Sequence, residues 1–305
     1  MRKFGPLFSM ILAFLLLAGC GDKECPEPPK PEWRTELFTD PTFLYSVRLT
    51  WRPALGQDQN AVAFLCGLGY RCGGDGAGTS YYSEDLLKRV RDLGLATALI
   101  DLPGSGNAYR DQGDRVGLDQ RSADLYRVRW EVLGRFGVVY VGHSIGAATA
   151  LRTAAKFGSV KGVAGLGFAP FSKQPDVPPK VIMDLSDQGP YVQFPVALRK
   201  QFFFHDPETD QTGYQKDLML ADPFPRKLFA DALALFQDPG PLELDKIRVP
   251  VYLQQYQYDA VYQPSGTWSY AKMDLFPDIG HSAELHRNPE PARAALLAWL
   301  KQFVK

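Results

Sequence analysis

Four cysteines and four histidines in 305 residues leave little material for a metal centre. No C-x-x-C pair and no Cys/His cluster occurs, so the metal-ligand spacings are missing and no metal or other cofactor is expected. No excess of one charge exists either, since 34 Lys+Arg balance 34 Asp+Glu. With no long basic run, nothing recommends a nucleic-acid partner. The most apolar stretch, near the N-terminus, is too short for a comfortable membrane span. No internal repeat is visible, and a hydrophobic content of 45% with 22% charged residues excludes disorder as the dominant state. The length suits one large α/β domain or two small ones.

What is present begins at the first residues. Arg2 and Lys3 precede "FGPLFSMILAFLLLAGC", a charged start, a short apolar middle and a small-residue end that describe an export signal over residues 1–19. The end Leu17-Ala18-Gly19-Cys20 resembles the lipobox of bacterial lipoproteins. That resemblance implies a diacylglyceryl thioether on Cys20, often with N-acylation, and two or three acyl chains hold a protein stably on a bilayer. An ordinary cleaved signal is the alternative. Gly21 stands where aspartate would favour inner-membrane retention, so the expected address is the cell envelope, at the outer membrane if the host is Gram-negative. Residues 20–42 then read as a tether, with Pro26, Pro28, Pro29 and Pro31 favouring an extended spacer of ~3.1 Å per residue. An exported chain meets an oxidising compartment, where Cys66 and Cys72 can pair. Two buried thiols are the alternative, and Cys25 has no assigned role.

The body is expected over residues 43–305. Phe43–Pro53 alternates apolar and polar residues as a first strand, and Ala61–Cys66 is a short apolar run typical of a strand buried on both faces. A glycine-rich loop follows, then a helix over about 80–93, a strand at 95–100 and a turn at Asp101, Pro103 and Gly104. Helical spacing over 119–136, a strand at 138–141, a helix at 145–157 and a strand at 160–166 continue the alternation. Such alternation predicts a mostly parallel sheet with helices on both faces. From about 171 to 241 the rhythm gives way to proline and aromatic residues around a helix near 227–236, which reads as a cap inserted over the sheet. Strands return at 247–256 and from Ala271, and residues 290–304 close the chain with an amphipathic helix.

The segment "VVYVGHSIGAATAL" carries the chemistry. A serine hydroxyl needs an adjacent base to become a nucleophile. Ser144, between Gly142 and Gly146, sits where a buried strand turns into an alanine-rich helix. The base is expected later in the chain, and His281 lies between the last strand and the final helix. His143 should point away from the chemistry, His205 lies in the cap, and His286 falls near the final helix. Asp259 directly follows a strand, where active-site loops gather in parallel sheets. Asp278 is the weaker acid candidate.

The order Ser144, Asp259, His281 resembles that of the α/β-hydrolase superfamily, in its serine hydrolase or esterase branch. "AVAFLCGLGY", "ALIDLPGSG" and "RVPVYLQQYQYDAVY" are similar to its oxyanion-loop strand, its Asp-x-Pro-Gly-x-Gly turn and its acid-bearing strand. The resemblance covers nearly all of 43–305. It implies an α/β-hydrolase fold, oxyanion donors at the N–H groups of Leu68 and Ile145, and hydrolysis of a small carboxylic ester through an acyl-enzyme. Thioester and amide substrates remain open. Cys66 departs from the family, which usually carries histidine before Gly67, and a Cys66–Cys72 bridge would support that loop instead. No charged cluster marks a phosphate or carboxylate substrate. The aromatics Tyr191, Phe194 and Phe202–Phe204 are read chiefly as core of the cap, with a pocket lining as the alternative. A non-catalytic envelope lipoprotein with a binding or assembly role is the competing reading.

Overall fold

A strand that cannot expose either face must be apolar throughout, and that rule builds the centre of this molecule. The computed structural model describes residues 32–304 except 54–58, 77–79, 106–112, 174, 176, 205–210 and 267. The export signal, Cys20, Cys25, the proline tether and His205 lie outside the described residues.

In chain order the principal strands are β1 (Arg34–Asp40), β2 (Tyr45–Trp51), β3 (Asn60–Leu65), β4 (Ala96–Asp101), β5 (Gly137–His143), β6 (Gly162–Leu166), β7 (Val251–Tyr256) and β8 (Ala271–Phe276). They form one eight-stranded sheet in the order β1-β2-β4-β3-β5-β6-β7-β8. β2 runs antiparallel to β1 and β4, while β3 to β8 pair parallel. β3, β4, β6 and β7 are buried at every position, as expected between two helical layers. β1 was expected to be tether. Residues 34–40 instead pair along their whole length with β2, so the sheet starts nine residues before Phe43. Arg34, Glu36, Thr39 and Asp40 make β1 a polar, partly exposed edge, which discourages pairing with another chain and hides it from a search for apolar strands.

The main helices are α1 (Glu84–Asp92), α2 (Leu118–Glu131), α3 (Ile145–Phe157) and, after the cap, α8 (Glu290–Leu300). Local chemistry explains α1: the Ser83 hydroxyl accepts from Leu86 N–H at 3.2 Å, acids occupy its first turn and arginines its last. α3 is built from alanines and buried along most of its length.

The cap lies between β6 and β7. Among the described residues it holds four helices, α4 (Pro179–Ser186), α5 (Val196–Phe203), α6 (Gln211–Leu220) and α7 (Arg226–Gln237), where only the last was legible in sequence. Residues 191–192 and 224–225 form a short antiparallel pair within it. Phe194, Phe224 and Phe229 pack ring against ring with centroids 4.8–6.0 Å apart, giving the cap its own apolar centre.

Candidate active site

β5 delivers Ser144 to its position. The backbone there takes φ +54° and ψ −126°, a strained left-handed geometry for a side chain with a Cβ. Its N–H donates to the Leu166 carbonyl at 3.0 Å, so β6 holds the turn. The flanking glycines are steric necessities. A Cβ on Gly142 would fall 2.4 Å from the backbone of Gly146 and Ala147, and one on Gly146 would fall 2.7 Å from the Cys66 carbonyl oxygen. Strand and helix cross too closely for any larger residue.

The loops after β7 and β8 bring in the other two groups. His281 Nδ1 lies 2.9 Å from Asp259 Oδ2, and both residues are buried. The carboxylate can only accept, so Nδ1 carries the proton and Nε2 keeps its lone pair. Asp259 Oδ1 is itself held by the N–H groups of Val261 and Tyr262, both at 2.8 Å. Asp278 is exposed in a left-handed turn at φ +56°, and Asp259 is the acid that contacts His281. His143 points behind the site, as its place beside Ser144 suggested. Its ring stacks on Tyr81 at 4.4 Å, and its Nε2 donates to the His281 carbonyl at 3.0 Å. Burial, reinforced by the neighbouring His281, lowers its pKa well below the ordinary histidine value and keeps it neutral. His286 lies between the His281 loop and α8.

Ser144 and His281 line one cleft with Leu68, which leads in from the loop after β3. The Ser144 side chain and the ring of Tyr262 line the same cleft. The N–H of Ile145 sits in the first turn of α3, where backbone donors have no intrahelical acceptor. Gly67 presses against the nucleophile turn, since a Cβ there would sit 2.8 Å from that of Ser144. The cleft has about 720 Å³ of atom-free space, part of it open to solvent, and its remaining lining is apolar. Phe194, Phe202 and Phe203 contribute to it. Phe204 packs against Tyr214 as expected of core, while Phe194, Phe202 and Phe203 both pack in the apolar clusters and line the cleft.

Cys66 and Cys72 are joined by a disulfide, with Cα atoms 5.5 Å apart. It closes the glycine-rich loop from which Leu68 projects. Asp101 pins the same loop by accepting from Cys72 N–H at 2.8 Å and Gly74 N–H at 2.7 Å, and burial pushes its carboxyl up to about 6 despite these donors. So short a cross-link is worth about 2 kcal/mol through the unfolded chain. The double variant Cys66→Ser/Cys72→Ser is expected to melt roughly 5 °C lower and to turn over ester more slowly. Unchanged melting and turnover would remove the bridge from any supporting role.

One cluster had no sequence signal. Arg199 of α5 makes a double hydrogen bond to Asp217 of α6, at 2.7 and 2.8 Å. Tyr70 of the glycine loop donates to the same carboxylate and meets the Ser282 hydroxyl at 2.5 Å, beside His281. All four side chains are buried. They clamp two cap helices to the loops that carry Leu68 and His281.

The strand order, the strained serine turn at the end of β5 and the acid-histidine pair after β7 and β8 define an alpha/beta hydrolase. The sequence model of the alpha/beta hydrolase family matches residues 62–295, and the chain belongs to that family. No curated protein matches it in sequence. Among solved structures it is similar to a monoacylglycerol lipase from Paleococcus ferrophilus, with a TM-score of 0.61 and 18% identity over 88% of this chain and 99% of that one. A thermophilic esterase from Thermogutta terrifontis gives a TM-score of 0.62 and 18% identity over 89% and 100% of the two chains. A bacterial membrane phospholipase A gives 0.58 and 17% over 97% and 94%. At these identities the likeness is one of fold.

Proposed function

We propose that this chain is a membrane-anchored serine hydrolase that cleaves carboxylic esters through an acyl-enzyme on Ser144. The observation that carries the reading is the buried Asp259–His281 pair opening onto the same apolar cleft as a strained serine at the start of α3. Rotation of the Ser144 hydroxyl toward His281 Nε2 would start the reaction. Catalytic hydrogen bonds of this type commonly tighten only once substrate is bound. His281 then takes the hydroxyl proton as Oγ adds to the ester carbonyl. The N–H groups of Leu68 and Ile145 receive the developing oxyanion, each such donor being worth about 3 kcal/mol in the transition state. The C–O bond breaks, His281 returns the proton to the departing alcohol, and a water activated by His281 releases the acid. Asp259 stabilises the imidazolium without being protonated.

The cleft's apolar walls suit an uncharged acyl chain, and the similar structures, a lipase, an esterase and a phospholipase, agree with an ester link. Anchoring rests on the sequence Leu17–Cys20 alone. A fluorophosphonate probe tests the nucleophile. The native protein is expected to be labelled once, and Ser144→Ala not at all. Absence of labelling in native protein, or undiminished labelling in Ser144→Ala, overturns the reading.

A further inference from the structure

Apart from Ser144 and His281, one side chain lining the cleft carries a polar group among the described residues, and it is Tyr262. Its ring is buried to 4% exposure, wedged between Phe168 and Phe236 with centroids 5.0 Å away, and lies 5.7 Å from the His281 ring. Its backbone N–H is one of the two that hold Asp259 Oδ1, so the acid and the phenol share one rigid turn. In an apolar cleft a phenol O–H needs a partner, and the polar side chains that share the cleft lining with it are Ser144 and His281.

The sheet order fixes the side from which this phenol approaches. β3 and β6 flank β5, with β7 beyond β6. Leu68 comes from the β3 side of Ser144, whereas Tyr262 follows β7 and shares the side of Asp259 and His281. A tetrahedral adduct on Ser144 carries two substrate oxygens. The carbonyl-derived oxygen faces the Leu68 and Ile145 donors, leaving the alkoxy oxygen on the His281 side.

Resting on the reading of Ser144 as nucleophile, we propose that Tyr262 is a further catalytic residue whose phenol O–H hydrogen-bonds to the alkoxy oxygen of the ester as that oxygen departs. In this step the acyl C–O bond breaks and its electron pair goes to the alkoxy oxygen. The proton that left Ser144 passes from His281 Nε2 to that oxygen, and Tyr262 keeps its own proton throughout. Burial and the Asp259 carboxylate raise the phenol's pKa far above neutral pH, so it acts as a donor and not as a base.

Tyr262→Phe removes the hydroxyl and retains the ring packing. The test compares two esters of one acyl group, a p-nitrophenyl ester with a good leaving group and an ethyl ester with a poor one. Tyr262→Phe is expected to lower kcat/KM for the ethyl ester about 100-fold, in the range seen for loss of one transition-state donor, and for the p-nitrophenyl ester less than about 3-fold. Melting temperature and fluorophosphonate labelling are expected to stay at native levels, since fluoride departs without this help. Equal losses on both esters, or none on either, overturn the proposal. Failure of the native protein to label at all overturns the nucleophile reading instead.

Discussion

His281→Ala is expected to lower kcat for ester hydrolysis by about 10⁶-fold and Asp259→Asn by about 10⁴-fold, the losses typical when a base or its orienting acid is removed from a serine site. The asparagine result follows from how the carboxylate is held. Asp259 Oδ1 accepts from the Val261 and Tyr262 N–H groups while Oδ2 faces His281 Nδ1. An asparagine would keep its oxygen on the two backbone donors and turn its NH₂ toward His281. The imidazole would then accept at Nδ1 and carry its proton on Nε2, where it cannot take one from Ser144. Because the residues act as a unit, His281→Ala/Asp259→Asn is expected to be scarcely slower than His281→Ala alone. Steady-state rates on a p-nitrophenyl ester settle the matter. Asp259→Asn within tenfold of native would show that another group orients the base.

Asp217→Ala carries the largest expected effect on stability. Arg199 would remain buried over the Tyr70 and Phe203 rings, 5.0 Å from each centroid, with its carboxylate partner gone. Breaking a buried pair from one side costs about 3–5 kcal/mol, because an uncompensated charge is left behind. For a body of this size the melting temperature should fall on the order of 10 °C. Replacing both partners, as in Arg199→Met/Asp217→Leu, is expected to recover much of that loss, since no buried charge is then stranded. Thermal unfolding of the three proteins decides it. A single variant melting within about 2 °C of native would mean that water or another group reaches Arg199.

These two expectations differ in how far the sequence anticipated them. Ser144 was legible because its requirements are local: a buried strand, a tight turn, and glycines where two backbones cross. Asp259 and His281 were legible as residue types at strand ends in the expected order, and the fold brings them together. β1 was missed because an edge strand tolerates polar residues on both faces, leaving no apolar pattern to read. Helices α5 and α6 were missed because their apolar residues follow no single helical stripe, and α4 because eight residues with one buried side chain, Leu185, are too few to show a repeat. Tyr262 sat in plain view three residues after Asp259. Nothing local distinguished it from its aromatic neighbours.

The sequence by itself determined the alternation of strand and helix, the strained serine turn and the chemistry of its three principal side chains. Each follows from backbone sterics or from the apolar run of a strand buried on both faces, and these act over a few residues. Only the tertiary structure decided that Cys66 and Cys72 bond, that Asp259 rather than Asp278 holds His281, and that the Phe194, Phe202 and Phe203 rings face the cleft. It alone joined Tyr70 to Asp217, 147 residues away, and to Ser282, 212 residues away. Contacts at such separations depend on how the cap closes over the sheet, and the packing that fixes them leaves no periodicity in the chain.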